Sequence, residues 1–458
     1  MSNVTTKSWT DDLPVCNFTG AGFSTNQVYN DDGSRRMEAH KFNDRSFHCR
    51  VDDNTSIYAI FSGQGGSQVA EFSLQRIAAE ILLGQLNEKG ATEEDVKEVL
   101  RQAFISAEKG YLDSIDSNLA RKTVLQCELE GLSQYEISRD YQIVLDRLNL
   151  INEDLKMGTS IVLALIHKQK LYICNIGTCR ALLCKNDSNN VLRVVQLSVD
   201  HNLYNEDEIL RLKQLGVDVQ AFRQSPGFST RAIGSYFYKA GYKDCDLLSS
   251  AISEPVIAQP EIVGPIPLDD SCRFLLLMSS GLCKTLSDVF ANDRNLVNKE
   301  IVQMAVEQFR SQSTLMGVSQ SVVHKCDQMH HDTFIRQIRE NQFSSIKTRE
   351  DIILLVRNFN FPLPNAIHKD QQQVSFSPVT RQHPNNMFFS DSESSSITDT
   401  NNSDYTDTNS STCSDRRPHL HSFDKNYKVK SYVDFSDYYK IVENARQHGT
   451  LPANIDFD

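Results

Sequence analysis

Ser56-Ile57-Tyr58-Ala59-Ile60-Phe61-Ser62 is followed directly by Gly63-Gln64-Gly65-Gly66. Seven apolar or small residues in a row, rich in aromatic and β-branched types, predict a strand buried on both faces. The glycines let the chain turn sharply. Ser67 to Leu86 then carries apolar residues at helical spacing, with Val69, Phe72, Ile77, Ile81 and Leu82 as inner positions. A buried strand, a glycine turn and a helix imply a layered α/β domain.

The pattern extends outward on both sides. Thr92 can cap a second helix whose first turn holds Glu93, Glu94 and Asp95. Tyr141 to Leu155 reads as a further helix. Thr159–His167 (TSIVLALIH) and Leu171–Ile176 (LYICNI) predict two strands joined by a tight turn at Lys168-Gln169-Lys170. Arg180–Cys184, Leu192–Leu197, Phe274–Met278 and Asp351–Phe359 add strands. Asn205-Glu206-Asp207-Glu208 reads as a capping box opening a helix that stops near Gly216.

The chain has 458 residues, 40% of them apolar, and a net charge of -12. That balance argues against a nucleic-acid or anionic-membrane footprint. No apolar run is long enough to span a bilayer. Met1 to Thr5 lack the features of a signal peptide. Eleven cysteines without a paired framework point to reduced thiols in the cytoplasm. Cys174, Cys179 and Cys184 have irregular spacing and read as small core residues rather than a metal site.

After Pro362 the composition changes. Residues 363–430 are rich in Ser, Thr, Asn, Asp and Gln, too polar to offset their ordering entropy, and read as a linker. Ser377-Pro378 offers a proline-directed phosphorylation motif. Apolar residues return in Ser431–His448 (SYVDFSDYYKIVENARQH). There Tyr432, Phe435, Tyr439 and Val442 share a helical face, with Tyr438 and Ile441 beside it, and Gly449 and Pro452 mark its stop. An amphipathic helix on a flexible tether suits a groove on a partner. The organisation expected is a globular domain at 1–362, a linker at 363–430, a binding helix at 431–449 and a tail at 450–458.

Several blocks resemble signatures of the PPM family, the magnesium- or manganese-dependent serine/threonine phosphatases. The resemblance implies an antiparallel β-sandwich flanked by helices, with two metals held by carboxylates at one end. Such metals take hard oxygen ligands and activate a bridging water. Here the family's Asp-Gly-His-Gly-Gly reads Ser62-Gly63-Gln64-Gly65-Gly66. Its Gly-Asp-Ser-Arg reads Gly177-Thr178-Cys179-Arg180, and its Ser-Arg-Ala-Leu-Gly-Asp reads Thr230-Arg231-Ala232-Ile233-Gly234-Ser235. Its Ser-Asp-Gly-Leu-Trp-Asp reads Ser279-Ser280-Gly281-Leu282-Cys283-Lys284, and its final Asp-Asn corresponds to Glu350-Asp351.

Ser62, Thr178, Ser235 and Ser280 are therefore neutral where the family has acids, and Lys284 is a cation in place of an anion. Met-Glu-Asp-Ala-His is shortened to Met37-Glu38-Ala39-His40, with Asn30-Asp31-Asp32 as another placement. Arg35 or Arg36, or in another alignment Gln27, takes the place of the phosphate-binding arginine. His201, after Asp200, reads as structural. A hydroxyl is a poor substitute for a carboxylate in a magnesium site, so no catalytic residue, metal or cofactor is expected.

The resemblance narrows to the family's pseudophosphatases that bind and activate a kinase. It does so through Ser8–Pro14 (SWTDDLP), Ala79–Asn87 (AEILLGQLN), Leu354–Phe359 (LLVRNF) and Tyr432–Tyr439 (YVDFSDYY). It implies a non-catalytic adaptor in a MAP-kinase cascade, including innate immune signalling. Its partner would be a TGF-beta-activated MAP kinase kinase kinase, engaged by Tyr432, Val433, Phe435, Tyr438, Tyr439 and Val442. An upstream ubiquitin ligase or receptor complex, and a MAP kinase, are further partners on that reading. The alternative is a weakly active manganese-dependent phosphatase using Glu38, Glu350 and Asp351.

Overall fold

A computed structural model describes residues 9–30, 32–36, 38–84, 86, 92–222, 229–290, 293–340 and 346–363. Residues 363–430 (except Leu363 itself), the helix expected at 431–449 and the tail lie outside the described residues, as do Asp31 and Met37.

The strands, in chain order, are β1 (Thr19–Ser24), β2 (Gln27–Tyr29), β3 (Arg35–Arg36), β4 (Arg45–Arg50) and β5 (Thr55–Gln64). Then come β6 (Gly158–His167), β7 (Lys170–Ile176), β8 (Arg180–Asn186), β9 (Leu192–Gln196) and β10 (Ile233–Gly234). The last are β11 (Glu261–Pro267), β12 (Cys272–Met278), β13 (Thr348–Arg349) and β14 (Ile352–Asn358). The helices are α1 (Gln68–Leu83), α2 (Glu93–Ser114), α3 (Asp116–Leu129), α4 (Gln134–Asp140) and α5 (Gln142–Lys156). They continue with α6 (Glu206–Gln214), α7 (Val219–Phe222), α8 (Ser280–Val289), α9 (Arg294–Ser311) and α10 (Leu315–Arg339).

One sheet runs β1-β14-β12-β8-β9 and the other β11-β7-β6-β5-β4, with β10 added to β6. A small ribbon, β13-β2-β3, stands apart from both. All the strand pairs are antiparallel.

The period of two sorts the side chains into layers. Tyr58 and Ile60 of β5 face inward against Val162, Ile173, Leu275, Leu277 and Leu355, which is the core between the sheets. Ile57, Ala59 and Phe61 face outward under α1 and α2. Leu276, Met278, Leu354 and Val356 do the same under α8, α9 and α10. Each central strand is buried on both sides, which is why it reads as an unbroken apolar run. Phe361 and Leu363 still pack against the α9 side of this core.

Local chemistry starts and stops these elements as expected in most places. Thr92 and Asp95 form a reciprocal capping box on α2. The β6–β7 hairpin turns at Lys168 and Gln169, both at positive φ (49° and 61°), as a two-residue turn requires. Asn205 does cap α6, accepting from the Asp207 amide at 3.0 Å. The capping box expected there does not close, however. Glu208 turns inward, where Arg231 Nη2 and Arg211 Nη2 donate to it at 2.6 and 2.8 Å. Cys174, Cys179 and Cys184 fall in three different core layers and cannot share a metal.

Candidate functional site

Strand direction gathers the family-like blocks at one pole of the sandwich. β5 ends where β6 begins, so Ser62 pairs with Ser160. β8 begins where β12 ends, so Arg180 pairs with Met278. Met278 also pairs with Leu354 of β14. The Gly177–Cys179 loop, the Ser279–Ser280 start of α8 and Glu350-Asp351 therefore meet there.

The hydroxyls that occupy acidic positions bond to one another and to the frame. Thr178 Oγ1 donates to Ser280 Oγ at 2.9 Å, and Cys179 Sγ lies 3.4 Å from the same oxygen. Ser62 Oγ donates to Asp44 Oδ1 at 3.0 Å, and the Gly63 amide adds a second bond at 3.1 Å. Ser279 caps α8 through the Leu282 amide and accepts from the Ile353 amide at 3.0 Å. Gly281 lies so close to the Glu350–Asp351 backbone that a side chain there would collide with it. Beside it Lys284 Nζ donates to Glu350 Oε1 at 3.1 Å across the rim.

Ser235 lies beside Gly158, the strand partner of Gln64, and no hydrogen bond among the described residues joins its side chain to these hydroxyls. It sits at φ 54° and packs against Gly158, its amide bonded to the Met157 carbonyl at 2.7 Å. Its loop is held by a buried pair in which Lys239 Nζ meets Glu108 Oε1 at 2.5 Å while Glu108 Oε2 accepts from the Gly234 amide.

Two carboxyl groups do lie in the site. Asp351, which the Glu350-Asp351 alignment points to, is 3% exposed. Its Oδ1 accepts from the Asn26 amide and Asn26 Nδ2 at 2.7 and 2.8 Å, and its Oδ2 accepts from the Asn43 amide at 2.8 Å. Asn26 in turn accepts from the Ala39 amide at 2.8 Å, so Asp351 holds Ala39 and His40 by relay. Asp44, at 2% exposure, was not evident from the sequence. Its only sequence cue is an acid just ahead of β4, outside every quoted block. Burial first, and then the neighbouring Asp351 charge, push its carboxyl well above the usual carboxylate range. Among the described residues its Oδ2 has no hydrogen-bond partner.

The other expected residues go elsewhere. Glu38 is exposed. Arg35 reaches away to Asp327 of α10 at 2.8 Å, so it is not a phosphate-binding arginine of this pole. Gln27 lies in β2, paired with Arg349 of the ribbon. Asp32 closes the β2–β3 turn by accepting from Ser34 rather than facing the site. The Arg36 side chain lies outside the described residues. His201 is structural in its contacts: its Nδ1 accepts from the Gly177 amide at 3.1 Å. Asp200 forms a fork with Arg180, at 2.7 Å for the shorter arm.

The donor set does not fit a two-metal centre. Among the described residues no group of three His, Cys, Asp or Glu side chains is arranged to ligate a metal. Asp351 uses both oxygens on amide donors, and Asp44 is held toward its neutral form. The remaining positions offer hydroxyls bonded to one another and an ammonium bonded to Glu350. Divalent magnesium or manganese needs ionised oxygen ligands, and no step through such metals follows from these residues.

The protein phosphatase 2C profile matches residues 29–332. The chain is 25% identical over 313 residues to "TGF-beta-activated kinase 1 and MAP3K7-binding protein 1" of Caenorhabditis elegans, covering 68% of this chain and 73% of that one. It is 27% identical over 239 residues to "Probable protein phosphatase 2C 4" of Paramecium tetraurelia, covering 52% and 66%. Serine-threonine phosphatase 2C from Toxoplasma gondii superposes with a TM-score of 0.44 at 15% identity, covering 75% of this chain and 96% of that one. No helix among the described residues is long and apolar enough to cross a membrane. With two sheets packed face to face, helices on both outer faces and the family profile spanning most of the domain, this chain belongs to the protein phosphatase 2C family.

Proposed function

We propose that this chain is a non-catalytic member of its family: an adaptor that binds and activates a TGF-beta-activated MAP kinase kinase kinase. The observation that carries the first half is the Thr178–Ser280 hydroxyl pair at 2.9 Å, standing where the family's chemistry calls for carboxylates. The Lys284–Glu350 bond supports it, because it commits the one exposed acid of the block to a cation. The second half rests on the likeness to the nematode protein named for kinase binding. It rests also on the helical spacing of Tyr432, Phe435, Tyr439 and Val442, with Tyr438 beside them, and on the motif that adds Val433.

In this proposal the domain at 1–362 is a platform, residues 363–430 a tether and 431–449 the hook, in the cytoplasm. Activation means that the hook prefers the active arrangement of the kinase. Phe435→Ala removes a central anchor. It is expected to abolish co-precipitation of the kinase and its enhanced autophosphorylation, as is a chain ending at Thr412. Unchanged binding by Phe435→Ala would refute the role given to the hook.

The competing reading, a manganese-dependent phosphatase using Glu38, Glu350 and Asp351, draws on the phosphatases among the relatives. It is disfavoured because Asp351 spends its oxygens on Asn26 and Asn43.

A further inference from the structure

A cavity of about 300 Å³ opens at the other pole of the sandwich. Ser56 lies in its lining and Ser62 in the family site. Six residue steps along β5 separate them, roughly 20 Å of extended strand. Nothing in the proposed adaptor role uses this place.

Its chemistry is that of an anion receptor. Arg357 lines it, and its guanidinium faces are covered by Phe18 at 5.1 Å, Phe359 at 5.1 Å and Tyr58 at 5.6 Å. Its Nε donates to Tyr58 Oη at 2.8 Å and its Nη1 to the Asn358 carbonyl. Among the described residues no carboxylate pairs with it, and its Nη2 has no protein acceptor. Stacking holds the fork rigid, so little side-chain entropy is lost when it binds an oxyanion.

Other donors on the wall are also unspent. Asn54 and Gln169, both exposed, belong to its lining, and no hydrogen bond among the described residues involves their side-chain amides. Arg50 joins them, paired at 2.7 Å with Asp53, a carboxylate that also lines the cavity and whose side chain is 95% exposed. Ile166 and Leu268 supply an apolar wall. Amide donors on the same lining as a cation without a carboxylate partner suit a tetrahedral oxyanion, and the apolar wall suits a small organic body attached to it.

We propose that this cavity binds a phosphate monoester, with Arg357 as the anchoring cation and Asn54 and Gln169 as orienting donors. The phosphate can belong to a free phosphorylated metabolite or to a phosphorylated side chain of a peptide.

Calorimetric titration of the full chain with phenyl phosphate, inorganic phosphate and phenol tests this. Phenyl phosphate is expected to bind, inorganic phosphate more weakly and phenol not at all. Arg357→Gln should weaken phenyl phosphate by about tenfold or more. Gln169→Glu, a change on the turn that conserves side-chain size, should weaken it by about threefold or more through repulsion. If Arg357→Gln does not fold by circular dichroism, the Gln169→Glu result decides. A tyrosine-phosphorylated peptide that binds more tightly than phenyl phosphate would assign the source to phosphoproteins, and one that binds no better would assign it to metabolites. Absence of phenyl phosphate binding in the millimolar range would overturn the proposal. So would equal affinity in wild type and Gln169→Glu.

Discussion

Replacing Ser62 with Asp restores the family's acid and should expose how the site is now balanced. In the wild type the Ser62 hydroxyl donates to Asp44 at 3.0 Å, and both groups are buried. The substitution removes that donor and adds a carboxylate beside Asp44 and near Asp351. Loss of the hydrogen bond alone is worth about 1 kcal/mol, because the Gly63 amide still donates to the same oxygen. Two like charges about 4 Å apart add up to about 4 kcal/mol at an effective dielectric constant of about 20, less whatever proton uptake relieves. Ser62→Ala isolates the first contribution, and the difference between the two variants gives the second. Urea denaturation in EDTA at neutral pH reads both. The expected order is wild type, then Ser62→Ala, then Ser62→Asp as the least stable, its deficit shrinking at acid pH and in manganese. A Ser62→Asp protein as stable as wild type in EDTA would refute the reasoning, because it would mean that the pole still supplies a counter-charge for an acid.

Two further outcomes follow from the frame. Burial first, and then Arg231, lower the His201 pKa from 6.5 to about 4, so the folded state holds it neutral. As pH falls from about 6.5 to about 4, the unfolded chain takes up a proton that the native chain refuses, so stability present above that window is lost within it, up to about 3 kcal/mol. His201→Asn, which keeps an acceptor for the Gly177 amide, should flatten that part of the stability–pH curve. Gly20→Ala should unfold the β1 edge, since a methyl group there would overlap the Leu315 backbone at the start of α10. The loss of several kcal/mol expected for overpacking against backbone is measured by the denaturation midpoint.

Much of the sandwich was legible because its central strands are buried on both faces and so are apolar without interruption, as in β5, β6 and β12. Elements that pack by other means were not. β1 pairs glycine with close backbone contact: Gly20 and Gly22 exist so that α10 can lie directly on the strand, and neither leaves an apolar period. The buried face of α10 includes Ser319, Asp327, His330 and Thr333, and Asp327 lies 3.1 Å from the buried Arg349. A helix with such a face does not read as amphipathic. α3 buries only Lys122, whose ammonium meets Asp244 at 2.7 Å.

At the site, sequence blocks located Ser62, Thr178, Ser280, Lys284 and Glu350, because glycine turns and strand ends fix where they fall. They missed Asp44, which lies just ahead of β4 and meets Ser62 only because β4 pairs with β5 in that register. The inward turn of Glu208 was hidden for a similar reason, since a capping glutamate and one paired with a distant arginine look alike in sequence.

The central claim, that the metal positions have been converted into a hydrogen-bonded frame, is tested most directly by phosphoester hydrolysis in millimolar manganese, with calorimetric titration of the metal on the same sample. The account predicts no metal-binding heat from the domain and no turnover distinguishable from that of the Glu350→Gln variant. Saturable manganese binding, with turnover that disappears in Glu350→Gln, would contradict it.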